Sequence, residues 1–465
     1  MLNKKISILI FLFVIIVLTA LQSSCLSKGK NNVHRFILIT IDTLRADHLG
    51  CYGYPRSTSP FMDDLAKNGV LFLNAFSSSS HTSPSHTSIF TSLHPVQHNV
   101  LVNGASLHGR AFTMAEMFQD CGYGTAGFFG VGFLERITQG FDVTDFKKYK
   151  KLVHYRQAQH TIDSVLDWLS GKKTSDKFFL WIHLFDPHRP YHPPKEYLEK
   201  IDLKSQTEKD IFINYLYEVH KLPVDFYKHD FKLIQDYNNY DAEIMLVDNE
   251  IKRLFDYMDK KGLNADSLWV ITADHGEGLG NHHYESHGMY IYNEQIHIPL
   301  IFYFGNRAYA HTQVDSLVRH VDILPTFGDL TGYSLDKKEK IIQGFSLMSL
   351  MEHDEQDFPV NYSFSQRRPW DDSRRKWEQG EIYCLQDLNF KYIYHSEGKD
   401  EFYDLRYDPF ESRNLMDFPY EIRDRMKRGL VATYSLLASQ NIEGLNGKKI
   451  DEKHLKELKA LGYVR

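Results

Sequence analysis

Asp42, the run His81-Thr82-Ser83-Pro84-Ser85-His86 and the pair Asp274-His275 lie far apart in the chain, yet their side chains combine into one chemistry. A threonine hydroxyl is inert near neutral pH until a metal or a base lowers its pKa, and carboxylates and imidazoles are the groups that bring such a metal. The combination predicts a metal-activated nucleophile at Thr82, and with it an ester hydrolase or transferase.

Elements able to bring these residues together can be read around them. Runs of β-branched and aromatic residues at Phe36 to Ile41, Phe178 to His183, Leu268 to Thr272 and Leu300 to Phe304 read as core strands. They alternate with helix-period segments, the pattern of a parallel sheet covered on both faces. Ligands in such sheets gather beyond the carboxyl ends of the strands. Asp42 directly follows the first run and Asp274-His275 the third, while His188 falls in the loop after the second, within Phe185-Asp186-Pro187-His188-Arg189-Pro190-Tyr191. Thr82 precedes Ser83-Pro84 and a helix predicted through Thr91, whose free backbone N–H groups would face an anionic ester. Taken alone, Ser77 to Ser88 also reads as a polar loop with a serine-capped helix, and it is the joint pattern that points to a site.

Tyr240, Ile244, Val247, Ile251, Leu254 and Met258 recur at spacings of four and three and predict one long amphipathic helix whose stripe is core. A shorter helix opens at Ser59-Pro60 and closes at Asn68-Gly69. Glu196 to His229 is rich in Lys, Asp and Tyr without a clear period and reads as an insertion near the site mouth. Lys337 to Lys340 reads as a charged break ahead of a smaller C-terminal unit.

With 465 residues, 42% of them hydrophobic and 25% charged, the chain can bury a large core in one big domain plus a smaller one. A formal charge of -6 gives no basic balance of the kind that marks nucleic-acid binders. Lys4-Lys5, the apolar run Ile6 to Leu21 and then Gln22-Ser23-Ser24-Cys25 follow the order of a secretory signal. A bacterial lipoprotein signal with Cys25 lipidated is the first reading, a cleaved signal the second and an uncleaved anchor the third. All three place residues 34 onward outside the cytoplasm, anchored to a membrane or secreted. Cys51, Cys121 and Cys384 show no C-x-x-C spacing and imply buried or free thiols with at most one bridge.

Several longer signatures resemble the sulfatase family of the alkaline phosphatase superfamily. Asp42-Thr43-Leu44-Arg45-Ala46-Asp47-His48-Leu49-Gly50-Cys51-Tyr52-Gly53 looks like its first metal motif, and Thr82-Ser83-Pro84-Ser85-His86 like its nucleophile motif. Asp274-His275-Gly276-Glu277, His287-Gly288 and Ile298-Pro299-Leu300-Ile301 match its second metal segment. Phe402-Tyr403-Asp404-Leu405, Asp408-Pro409, Asn414-Leu415 and Ala460-Leu461-Gly462-Tyr463 match its C-terminal part. The resemblance implies an α/β, alkaline-phosphatase-like fold, a mostly parallel sheet sandwiched by helices with a smaller C-terminal α+β subdomain. We expect the catalytic domain over 34–350 and the subdomain over 351–465, after a signal over 1–25.

Four departures bear on the chemistry. The cysteine that formylglycine-using sulfatases modify is Thr82; the arginine of that motif is His86 and a later lysine is His287; the second aspartate of the first metal motif is Thr43; Gly130 and Gly132 stand where the family carries lysine and histidine. Cations are lost and imidazole is gained, which suits a site that neutralises substrate charge with metal. The resemblance therefore shifts to threonine-nucleophile members: phosphodiesterases, phosphonate hydrolases and phosphoethanolamine transferases.

It implies Asp42, Asp274, His275 and Thr82 as ligands of one divalent ion, with His188 and His287 holding the non-bridging oxygens of the ester or a second ion. Mixed carboxylate and imidazole ligands favour zinc or manganese, with calcium as a further option. His86, Asn103 and Asp186 are further candidates near the site, whereas Asp47, His282 and His283 read as structural or solvent-facing. The expected substrate is a small-molecule, glycan or lipid ester of phosphoric acid. The alternatives are a sulfuric ester cleaved without formylglycine, a phosphoethanolamine-type transferase, and a non-catalytic surface binding protein on the same fold. With one apolar segment in the chain, hydrolysis is preferred over transfer between lipids.

Overall fold

The structure is a computed structural model that describes residues 33–146, 155–222, 230–335, 340–354, 358–370, 380–419 and 421–441. The N-terminal signal reading and the Ala460-Leu461-Gly462-Tyr463 match lie outside the described residues.

Among the described residues, eight strands form the main sheet: β1 Arg35–Ile41, β2 Val70–Phe76, β3 Gly124–Phe129, β4 Val143–Asp145, β5 Phe178–Leu184, β6 Ser267–Ala273, β7 His297–Phe304 and β8 Thr312–Arg319. Their order is β4-β3-β5-β1-β6-β7-β2-β8. Three of the four expected core strands lie side by side at its centre as β5, β1 and β6, parallel and buried along their whole length. Both of their faces are covered, so the sequence shows continuous apolar runs in place of alternation. Successive side chains show the two faces: Phe178 packs on Trp168 of helix Ala158–Ser170, ring centroids 5.2 Å apart, and Phe179 on Phe118 of helix Met114–Asp120, at 4.5 Å.

The fourth expected strand, β7, runs against its neighbours β6 and β2. An apolar run does not encode direction. Here β6 leads into β7 through the irregular stretch 274–296, which returns the chain along the same edge.

The long helix spans Asp230–Lys260 and buries all six residues of its predicted stripe; the shorter one spans Pro60–Lys67 with proline in its first turn. The stretch read as an aperiodic insertion folds instead into helices Lys195–Ile201 and Gln206–Glu218 before residues 223–229, which are outside the described residues. Ser205 and Glu208 form a reciprocal capping box on the second helix, so local hydrogen bonds start it despite its weak apolar stripe. A second, antiparallel sheet follows in the order β12-β11-β10-β9: β9 Ser363–Trp370, β10 Gly380–Gln386, β11 Phe390–His395 and β12 Glu401–Asp404. Helix Glu421–Ser439 packs on it through Met426 and Leu430. Cys51, Cys121 and Cys384 are free thiols.

Candidate active site

Strand register sets the site. Thr40 pairs with His183 of β5 and with Thr272 of β6, and Ile41 with Leu184 and Ala273. One residue further on, Asp42 and Asp274 leave adjacent parallel strands at the same height. β2 runs against β7, which runs against β6, so β2 points the same way as β1 and β6 and the chain leaving it carries Ser77 to His81 along that edge into helix Thr82–Thr91. Four segments distant in sequence meet where the expectation put them.

A ligand oxygen from each of Asp42 and Asp274 and a ring nitrogen of His275 lie within 4.8 Å of one another, all fully buried. His275 Nε2 is 3.7 Å from Asp42 Oδ1, 3.5 Å from Asp274 Oδ2 and 3.4 Å from Thr82 Oγ1. Asp274 Oδ1 is occupied, accepting the backbone N–H of His275 at 2.8 Å and of Thr43 at 3.2 Å. Thr43 takes the left-handed conformation, φ 59°, in making that bond. Both oxygens of Asp42 and Oδ2 of Asp274 have no hydrogen-bond partner. Burial first, and the Asp274 charge second, hold the Asp42 carboxyl well above the usual range. Three unpartnered buried carboxylate oxygens facing one imidazole nitrogen fit a divalent cation, because burial without a counter-charge is otherwise costly.

His275 Nδ1 lies 3.0 Å from the Gly276 carbonyl, so that nitrogen carries the proton and Nε2 keeps its lone pair for a metal. His287 and His188 continue the same row: the ring centroids of His275 and His287 are 4.5 Å apart, those of His287 and His188 4.8 Å. His287 Nδ1 lies 3.2 Å from Glu277 Oε1, and His188 Nδ1 bonds the Arg189 carbonyl. Both rings are held well below the usual histidine range, by burial first and then by the neighbouring imidazole, His275 for His287 and His287 for His188. Burial likewise raises the Glu277 carboxyl.

Asn103 lies beside Thr82. Its Oδ1 accepts the Ser83 N–H at 2.8 Å and its Nδ2 is 3.5 Å from Thr82 Oγ1. The expected row of free N–H groups at the helix start is absent, because Ser83 bonds Asn103, Pro84 has none and Ser85 closes the first turn on His81. His86 packs beneath Thr82. Asp186 points to structure: its Oδ2 accepts the Ala158 N–H at 2.6 Å where helix Ala158–Ser170 begins, and burial raises its pKa to about 6.

Asp47 pairs with buried Arg45. His282 bridges Glu294 and the Glu411 carbonyl, and His283 is adjacent to it at the surface-side turn. Glu277, quoted above only as part of a motif, and His183 were not singled out from the sequence. A histidine inside an apolar strand run, one residue short of its carboxyl end, was the available signal for His183.

A sequence profile of the sulfatase family matches residues 34–333, and the C-terminal profile of N-sulphoglucosamine sulphohydrolase matches residues 280–434. The chain belongs to the sulfatase family. Like other sulfatases it is a hydrolase acting on ester bonds, and the family binds a divalent metal, for which the Asp42, Asp274 and His275 cluster is the candidate here. An uncharacterised sulfatase of Escherichia coli strain K12 is 27% identical over 437 residues, covering 82% of this chain and 83% of that protein. The N-acetylglucosamine-6-O-sulfatase of Bacteroides thetaiotaomicron is 25% identical over 478 residues, covering 84% and 85%. In fold, the chain is similar to the crystal structure of the phosphonate monoester hydrolase of Agrobacterium radiobacter, with a TM-score of 0.70 and 18% identity over 88% of this chain and 96% of that one.

Proposed function

We propose that this sulfatase-family hydrolase cleaves a monoanionic ester through a covalent intermediate on Thr82, and that phosphodiesters or phosphonate monoesters are its substrates ahead of sulfuric esters. The observation that carries the reading is the placement of Thr82 Oγ1, 3.4 Å from His275 Nε2 and beside three unpartnered carboxylate oxygens. Asp42, Asp274, His275 and Thr82 would hold a divalent cation, zinc or manganese in preference to calcium because of the imidazole. When bound, such an ion supplies charge neutralisation and a lowered hydroxyl pKa.

Thr82 Oγ1 forms a bond to phosphorus as the bond to the leaving oxygen breaks, and water then hydrolyses the ester left on Thr82. Asn103 Nδ2 orients the hydroxyl, and the dipole of helix Thr82–Thr91 favours the anion near its start. The neutral rings of His188 and His287 add no positive charge, so two aspartates and one divalent ion balance, and a monoanion suits the site better than a phosphate monoester dianion. With Nδ1 turned to a carbonyl in His188 and to a carboxylate in His287, each ring keeps Nε2 as the lone-pair nitrogen. That favours accepting a proton from the attacking water, or holding a second ion, over donating to non-bridging oxygens.

A second reading, a sulfuric ester of a glycan, is favoured by the relatives, among them an N-acetylglucosamine-6-O-sulfatase. Thr82 argues against the formylglycine route for it. The test is kcat/KM on an aryl sulfate, a phosphodiester and a phosphonate monoester, with metal analysis, for the wild type and Thr82→Ala. We expect metal in the wild type and a loss of about 10⁴-fold or more in kcat in the variant at unchanged Tm. Turnover retained by Thr82→Ala would sink the nucleophile assignment, and a large preference for sulfate would favour the second reading.

A further inference from the structure

His86, His183, Thr40 and Trp181 lie directly behind the nucleophile, fully buried, and the chemistry above gives them no role. His86, His183 and Asp274 also bring ligand atoms within 4.8 Å of one another, which raises the question of a second ion sharing Asp274. Their hydrogen bonds answer it.

His86 Nδ1 lies 2.8 Å from the Thr82 carbonyl oxygen, which can only accept, so this nitrogen carries a proton and has no lone pair to offer. His86 Nε2 lies 2.8 Å from Thr40 Oγ1, and the indole N–H of Trp181, which can only donate, reaches the same oxygen at 3.0 Å. The direction of the chain is thereby fixed: Trp181 donates to Thr40, Thr40 to His86, His86 to Thr82. Neither nitrogen of His86 is left for a metal.

In His183, Nδ1 shares the backbone N–H of Gly130, at 3.3 Å, with the His183 carbonyl at 3.0 Å and accepts, so the proton sits on Nε2, which faces Asp42 Oδ2 at 3.3 Å as an electrostatic contact without hydrogen-bond geometry. That approach requires glycine at 130, where a Cβ would come within 2.7 Å of the Phe185 Cβ. The His86 Nδ1–H also stands 3.7 Å from Asp274 Oδ2. Two proton-bearing nitrogens therefore face the two carboxylates that meet His275 Nε2, on the opposite oxygen of Asp42 and on the same Oδ2 of Asp274.

We infer that His86 and His183 are positioning residues: His183 Nε2–H orients Asp42, His86 Nδ1–H ties down the Thr82 carbonyl beside Asp274, and their cluster is not itself an ion site. The inference rests on the reading that Asp42, Asp274 and His275 hold a divalent ion. Removal of an outer hydrogen-bond partner of a metal ligand typically costs 10- to 100-fold in metal affinity.

Amide side chains give a crossed test, because the glutamine amide nitrogen reaches the place of a histidine Nε2 and the asparagine one that of Nδ1. Zinc affinity of the full chain is measured by competition with a chromophoric chelator, alongside Tm. His183→Asn and His86→Gln are expected to weaken zinc binding about 10- to 100-fold. His183→Gln and His86→Asn are expected to stay within a few fold of the wild type. All four changes place one amide in one cavity, so a purely structural role would not produce the crossed pattern. Equal affinities across the four, or an additional ion lost from all of them while the first remains, would overturn the inference. A wild type that binds no zinc, or an Asp42→Asn variant that binds it as tightly as the wild type, would instead overturn the underlying site and the inference with it.

Discussion

A side chain's place in the site follows from how far it stands from a strand end. Asp42, Asp274 and His275 were legible in the sequence because each comes directly after an apolar run, at the one edge where open sheets collect ligands. Asp186 follows its strand as closely, but its carboxylate turns back to a helix N-terminus. Spacing gives position along the chain, not the face to which a side chain turns. Asn103 was legible only as a candidate, because nothing local marks the 20-residue return that brings its Oδ1 to Ser83. With Oδ1 holding that N–H and Nδ2 beside Thr82 Oγ1, Asn103→Ala would leave the proposed nucleophile unoriented. We expect kcat to fall about 10- to 100-fold with KM within a few fold, checked by steady-state kinetics. Equal losses in kcat for Asn103→Ala and Asn103→Asp, which keeps the acceptor for Ser83, would single out Nδ2 as the working atom.

At the scale of elements, four core strands were read from their continuous apolar runs, the long helix from its period and the short one from its cap and proline. Strand direction in β7 and the helices after Lys195 were not, because both depend on what the chain packs against or on short-range caps. Caps also act between elements. Asp248, on the long helix Asp230–Lys260, accepts the N–H groups of Phe61 at 3.0 Å and Met62 at 2.8 Å and so caps helix Pro60–Lys67 from outside. Burial raises its pKa to about 7, against about 3.9 for an aspartate in the unfolded chain. The folded state then keeps a proton that the unfolded state has lost, so this group's contribution to stability is full below about pH 4 and is lost as pH rises through about 7. Denaturant melts of wild type and Asp248→Asn between pH 4 and 8 should show the wild type losing stability relative to the variant as pH rises. A constant difference between the two would refute the shift.

Across the whole molecule, the large sheet and the C-terminal sheet are joined by buried charges. Lys391 on β11 pairs with Glu411 at 2.7 Å and reaches Asn293 at 3.1 Å, with both charged groups inaccessible to solvent. His282 donates to Glu294 at 2.8 Å and to the Glu411 carbonyl at 3.0 Å. Burial opposes its charge, but Glu294 and Glu411 outweigh it and raise its pKa to about 9. A raised histidine stabilises fully below about pH 6.5 and loses that contribution as pH climbs through about 9. Thermal melts between pH 6 and 10 should show a wild-type decline that His282→Gln lacks. The identity of the C-terminal part was legible in its motifs, but its attachment was not, because the contacts that cross to it, Lys391 to Asn293 and His282 to the Glu411 carbonyl, each span about a hundred residues or more.

One such attachment reaches the loop of the proposed nucleophile. Edge strand β9 bonds the loop that leads to Thr82, Ser365 Oγ donating to the Ser77 carbonyl at 2.6 Å and the Gln366 N–H to that of Ser78 at 3.0 Å. On the ribosome Ser77 is made some 288 residues before its partner. At about 5–20 residues per second this is an interval of roughly 15–60 s. During that time Thr82 exists without the strand that braces its loop. Asp274 and His275 are themselves made before Ser365, so every residue of the candidate site is synthesised ahead of the strand that braces the loop of Thr82.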